Sequence, residues 1–323
     1  GPMFTGRFNG QGYKIRNFKA VSKVAETGGT FGLFGVIGPG SVVENFIFES
    51  SCSLTVQSPA KSTSHGLIAG LLYDGTVRDV HSYAPMTFQS KTGVKNAAQF
   101  MALIGYVFTQ NAEVTIDSVD NFGEIIAGNA DGNDQGGANA FHIAGIVGFS
   151  TATVDTQHFV TISDCSNEGN MTSATCRTSG ICAAANRRTK MVNCINKGNQ
   201  LNSCPGPDKG RIANIACNVA NVSSMTGCVN YGDIISTTSA RTAGIANLSN
   251  NCEFTNCANY GNVQSDNKYR GLFWAYNNGL ASWSSCIAGG TVGTYNDGKG
   301  EADEYTDAAK VNYLGVQGAS KTT

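Results

Sequence analysis

Charge is scarce in this chain. Only 14% of its 323 residues are Asp, Glu, Lys or Arg, and they sum to −1. Nucleic acid calls for a basic stripe, so that class of partner is argued against. No apolar run approaches the ~18 residues that a membrane-spanning helix requires. The usual tools of catalysis are thin as well. There is no Asp-Asp pair and no Gly-His-Gly, and His65, His81, His142 and His158 share no spacing, so they read as surface or edge imidazoles. A glycoside hydrolase needs two carboxylates facing each other across the bond. Here Asp117, Asp120, Glu124, Asp164, Glu168 and Asp233 are spread thinly, and only Asp120 and Asp233 sit where they could meet across repeats. No Cys-x-x-Cys occurs, which argues against zinc. Asp131-Gly-Asn-Asp134 superficially resembles a calcium loop but lacks the downstream bidentate Glu, and reads as a polar loop. Arg187-Arg188 with Lys190 reads as a solvated turn rather than an anion site. No catalytic residue, metal ligand or cofactor is therefore assigned.

Glycine is abundant, with 40 residues among scattered Asn, Ser and Thr. That composition suits short strands joined by tight turns. The order is periodic. Thr255-Asn-Cys-Ala-Asn-Tyr-Gly-Asn-Val recurs as Thr226-Gly-Cys-Val-Asn-Tyr-Gly-Asp-Ile, Val192-Asn-Cys-Ile-Asn-Lys-Gly-Asn-Gln and Ser163-Asp-Cys-Ser-Asn-Glu-Gly-Asn-Met. Degenerate copies start at Asp117 and Ser284. A second unit alternates with the first: Gly32-Leu-Phe-Gly, Gly66-Leu-Ile-Ala-Gly, Ala102-Leu-Ile-Gly, Gly145-Ile-Val-Gly, Gly180-Ile-Cys-Ala, Asn214-Ile-Ala-Cys, Gly244-Ile-Ala-Asn and Gly271-Leu-Phe-Trp. Such self-similarity means a repeat array that grows by stacking around one continuous core. The period gives about eight rungs of roughly 30 residues, each with two or three strands.

Strand alternation assigns directions within the first unit. Cys165, Cys194, Cys228, Cys257 and Cys286 point inward and stack as packed thiols. Any disulfide among the 11 cysteines should involve Cys52, Cys176, Cys204 or Cys252, which lie off this ladder. Asn121, Asn167, Asn196, Asn230 and Asn259 also point inward, where their amides can bond from rung to rung and satisfy turn backbone. Gly123, Gly169, Gly198, Gly232 and Gly261 are expected to supply positive φ at the corner. Insertions at 91–99, 127–140 and 205–210 should project from one face.

Phe4-Thr-Gly-Arg-Phe-Asn-Gly-Gln-Gly-Tyr-Lys-Ile-Arg-Asn-Phe resembles the opening repeat of bacterial GLUG-motif surface proteins. The Gly-Leu-Phe-Gly and Asn-Cys-x-Asn-x-Gly units are similar to the same family, and Ile287-Ala-Gly-Gly-Thr-Val-Gly-Thr-Tyr resembles the close of such arrays in gram-negative gut anaerobes. The resemblance spans roughly residues 4 to 295. It implies an all-β fold, a right-handed parallel β-helix, that is exported and displayed at the cell surface or secreted, adhesin-like. It carries no catalytic signature. Ala102 and Asn214 depart from the motif glycine, so register is least fixed there. The expected organisation is a β-helix over 4–293 and an irregular C-terminal cap over 294–323. Gly1-Pro2-Met3 reads as a protease remnant, with an export signal expected to have preceded it.

Aromatic residues are the best functional lead. Tyr231 and Tyr260 hold the same outward place in successive rungs, and Phe122 holds it earlier. Rungs lie ~4.8 Å apart, so the two tyrosines should stack into a flat strip. Trp274, Tyr276 and Trp283, with Tyr269, gather in the last full rung. The competing reading puts Trp274 over the core end and Trp283 under the tail. The expected function is a non-catalytic, monomeric binding protein that engages glycan or another host or cell-surface ligand. The alternatives are a polysaccharide lyase or glycoside hydrolase on the same scaffold, and a structural spacer presenting another domain.

Overall fold

The computed structural model describes residues 3–23, 29–57, 62–90, 98–128, 140–204, 210–238, 240–265, 270–277 and 281–293. The expected insertions fall largely outside these residues, and the Asp131–Asp134 loop, Tyr269 and the 294–323 tail fall wholly outside them. The described residues form strands joined by bridges, turns, bends and irregular segments, with no helix among them and hence none long and apolar enough to cross a membrane. The strands form three parallel sheets of 15, 10 and 9 strands.

The nine-stranded sheet shows the logic most simply. Lys19–Lys23, Ser53–Gln57, Met86–Gln89, Ile125–Gly128, Met171–Ser173, Gln200–Asn202, Ile234–Ser236, Val263–Gln264 and Val292–Gly293 pair in chain order, each parallel to the next. The chain leaves this sheet, contributes strands to the other two, and returns one position further on. At the motif departures, Ala102 pairs with Gly66 and the register shifts directly after it, before Ile104↔Ala69, while Asn214 accepts the Gly180 N–H.

One inward column runs Phe46, Val80, Val119 and then the five cysteines, as the flanking pairings require. All eight side chains are buried. Burial raises the Cys182 and Cys217 thiols, the latter to about 12, so these interior sulfurs behave as small apolar groups. Cys176 and Cys204 form a disulfide, and the other nine cysteines are buried outside any disulfide.

The asparagine column is built as the strand period predicts. Asn121, Asn167, Asn196 and Asn230 each donate an amide hydrogen to the next asparagine's Oδ1, at 2.7–2.9 Å. Each also donates to the carbonyl of the glycine two residues on, at 2.8–3.0 Å. Apart from Asn121 Oδ1, which starts the column and has no partner among the described residues, these buried polar groups are paired, which removes most of the ~1–3 kcal/mol cost of leaving each unsatisfied.

The positive-φ expectation is corrected. Gly123, Gly169, Gly198, Gly232 and Gly261 do not have positive φ. The left-handed position is the residue before the inward column: Asn45, Asp79, Ser118, Asp164, Asn193, Gly227, Asn256 and Ser285, with φ between 51 and 66°. Asn, Asp and Gly tolerate that region best, which explains their frequency there. The corner glycines are needed for a different reason. A Cβ on any of them would lie 2.0–2.1 Å from the carbonyl oxygen of the equivalent residue one rung earlier. They permit close approach of stacked backbones.

Candidate functional site

The corner after the asparagine column turns one side chain per rung toward solvent. Backbone bonds fix its register: Tyr83 N–H to Phe48 O, Phe122 to Ser82, Glu168 to Asn121, Lys197 to Asn167, Tyr231 to Asn196 and Tyr260 to Asn230, all 2.7–2.9 Å. The outward column therefore runs Arg16, Glu49, Tyr83, Phe122, Glu168, Lys197, Tyr231, Tyr260, Gly289. Within it two aromatic pairs flank an ion pair.

Both aromatic pairs are stacked. The Tyr231 and Tyr260 rings lie 5.4 Å apart at 20°, and remain 53% and 46% exposed. Tyr83 and Phe122 lie closer, 4.7 Å apart at 12°, with Tyr83 48% exposed and Phe122 half-buried. Between them Lys197 Nζ meets Glu168 Oε1 at 2.6 Å, and the bond to Glu168 raises the Lys197 pKa. Phe122 and Tyr231 are three rung steps apart, about 14 Å at ~4.8 Å per step. Tyr83 was not visible as a member from sequence, because Ser82 and Ala84 stand where later copies carry Asn and Gly. The only signal was its pairing in register with Phe122, which needs the sheet.

The remaining aromatic candidates do not join this strip. Trp283 pairs in register with the buried Phe254, continuing the inward column Met191, Met225, Phe254. It is half-buried and packs against the core, on a different column from the tyrosine corner. Trp274 pairs in register with Ala246 and Tyr276 with Leu248, away from the tyrosine corner.

The acids do not form a catalytic pair. Asp120 accepts bonds from the Ser166 N–H and hydroxyl at 2.9 and 2.6 Å, and its other oxygen lies 2.8 Å from His81 Nδ1. Asp233 instead accepts the Asn262 N–H at 2.7 Å and donates its own N–H to Asn199. The two acids serve different rungs and never meet. His81, Asp120 and Ser166 do not make a nucleophile triad either, because the serine proton points to Asp120 rather than to an imidazole.

Two histidines depart from the surface expectation. His65 is fully buried against the Phe31 ring, and burial pushes its pKa down to about 4. His142 is also buried, with Nδ1 2.9 Å from the Ala140 carbonyl and Nε2 2.8 Å from Arg177 Nη1. Burial, then the Arg177 charge, holds it well below its ordinary pKa. A neutral ring that donates from Nδ1 and accepts at Nε2 satisfies both contacts. Among the described residues no three His, Cys, Asp or Glu side chains gather to hold a metal ion. Comparison with protein-family models, with curated proteins and with solved structures finds no match to this chain.

Proposed function

We propose that this chain is an adhesin-like, glycan-binding protein of the bacterial cell surface or secreted fraction, built as a right-handed parallel β-helix. The cyclic visiting of three parallel sheets supports that architecture. The strong right-handed preference of connections between parallel strands supports its hand. The resemblance to GLUG-motif proteins supports the location and the adhesin-like role.

One observation carries the ligand class: two pairs of stacked, solvent-facing rings in a single outward column. Exposed apolar surface in ordered array marks interaction sites more often than chance. Flat rings match the apolar faces of pyranoses, and Glu168 and Lys197 between them offer hydrogen-bond partners to hydroxyls. Each ring contributes about 1 kcal/mol, so the four together suit dissociation constants near the millimolar range.

The test is a glycan array with the parent and the Tyr231→Ala, Tyr260→Ala double variant, alongside a polysaccharide panel assayed for reducing-sugar and unsaturated-product release. Binding that the double variant loses, without turnover, is the expected result. Turnover of any polysaccharide would favour the lyase or hydrolase alternative. No binding and no turnover would favour the spacer.

A further inference from the structure

A second site lies on the outer face of the 15-stranded sheet, separate from the tyrosine corner. It is a cavity of about 350 Å³, lined by Phe159, Lys190, Val222, Ser224, Asn251 and Glu253 among others. That volume falls at the lower end of small-molecule sites. Lys190 pairs in register with Ser224, and Ser224 with Glu253, so a cation and an anion stand two rungs apart over a small serine. At ~4.8 Å per rung their backbones are about 10 Å apart.

The backbone at this notch is unusual. The strand Ala216–Thr226 pairs with Ala246–Thr255 in register through Ala220↔Asn250, and the register then shifts before Ser223↔Cys252. Asn221 and Val222 therefore oppose Asn251 alone, a β-bulge with one extra residue. Asn221 has φ 55° and Val222 φ 67°. A β-branched residue in the left-handed region is a genuine outlier. Val222 gains nothing from burial in return, being 52% exposed at the cavity mouth. Strain of this kind concentrates at functional sites, and bulges there re-aim side chains.

The charge at the cavity's cationic end is also organised. Lys190 Nζ lies 3.9 Å from the Phe159 ring centroid, and the Arg188 guanidinium lies 5.4 Å from the same ring. One aromatic ring thus attracts two cations through cation–π contacts, Lys190 lining the cavity and Arg188 standing beside it. The basic cluster that reads from sequence as a solvated turn is here fixed beside a cavity. Two gathered cations favour an anion. Glu253, Asn251 and Ser224 across the notch offer acceptors and donors suited to hydroxyls.

We infer that this cavity binds the carboxylate of an acidic sugar residue, of the uronic-acid class. The carboxylate would meet Lys190, with Arg188 adding positive charge from beside the cavity, and the ring hydroxyls would meet Glu253 and Asn251. That the ligand is a sugar rests on the glycan reading above; that it is anionic rests on the cavity alone. Calorimetric titration with D-glucuronate at low salt tests it, with D-glucose and acetate as controls. The parent should bind glucuronate, Lys190→Met should weaken that binding at least tenfold without a change in melting, and the Tyr231→Ala, Tyr260→Ala variant should retain it. Equal binding by Lys190→Met, or displacement of glucuronate by acetate at equal concentration, would overturn the inference. So would a parent that ignores glucuronate. If that parent still bound neutral glycans through Tyr231 and Tyr260, the tyrosine reading would stand and only this site would fall.

Discussion

Gly232→Asn and Gly227→Asn are a pair of substitutions that separate two reasons for needing glycine. Gly227 has φ 66°, and a Cβ there would meet only the Asn193 side chain closely, Oδ1 at 2.5 Å, with everything else at 3.6 Å or beyond. Asn193 is exposed and able to turn away, and asparagine already occupies the equivalent place at Asn193 and Asn256. Asparagine tolerates left-handed φ, so Gly227→Asn should cost less than about 1 kcal/mol. Gly232 is the reverse case. Its φ is ordinary, but a Cβ would sit 2.1 Å from the Gly198 carbonyl oxygen and 2.8 Å from Asn196 Nδ2. Backbone cannot rotate out of the way. Relief requires the rungs to part by over 1 Å, which weakens the Tyr231 N–H bond to Asn196 O and the Asn196 amide bond to Asn230 Oδ1. Overpacking costs about 1–3 kcal/mol and each weakened buried bond about 1 kcal/mol, so Gly232→Asn should cost roughly 3–5 kcal/mol. Urea unfolding followed by far-ultraviolet circular dichroism measures both. Equal midpoints for the two variants would refute the close-approach argument, because a corner needing only positive φ accepts asparagine.

Unreduced protein in denaturant should titrate with nine free thiols, and with 11 after reduction; fewer than nine would put ladder cysteines in disulfides. His65 has its pKa pushed down to about 4, below the ~6.5 of an unfolded chain, so the unfolded chain binds the extra proton between these values. Its contribution is full above about pH 6.5 and is lost as pH falls toward 4, by ~3 kcal/mol. His65→Gln should flatten that part of the stability–pH profile, and an unchanged slope would contradict it. Val222→Gly removes a side chain from a left-handed position and should raise the urea midpoint by the equivalent of ~1 kcal/mol or more; a lower midpoint would show that Val222 is unstrained. Lys197→Met should leave the midpoint within about 1 kcal/mol of the parent, since the Glu168 pair is solvent-exposed.

Much of the repeat was legible because its chemistry is strict. Cys165 to Cys286 and Asn121 to Asn259 recur at fixed offsets, and strand alternation alone sends both inward. The asparagine bonds followed from that geometry. The corner glycines were legible as necessary, but the reason was not. Glycine serves positive φ and close approach equally, and the second depends on a carbonyl one rung away. Asp164, Asn193 and Asn256 do hold left-handed turns, yet Asn and Asp are so frequent here that no single one stands out. Tyr231 and Tyr260 could be placed because intact motifs flank them. Tyr83 could not, since Ser82 and Ala84 hide its register. The direction of Trp283 was left between two readings, because aromatic clustering in sequence says nothing of which way a strand faces. Asn221 and Val222 carry no sequence mark of a bulge, because the extra residue shows only against Asn251 on the neighbouring strand.

The most direct test of the binding strip is residue-resolved. Protein carrying isotope-labelled tyrosine rings can be titrated with the best-binding array glycan and followed by NMR. Of the 11 tyrosines, Tyr83, Tyr231 and Tyr260 should shift together, with one saturating curve, while Tyr13 and Tyr106 stay in place. Shifts absent from Tyr231 and Tyr260, or confined to tyrosines off this column, would contradict the account.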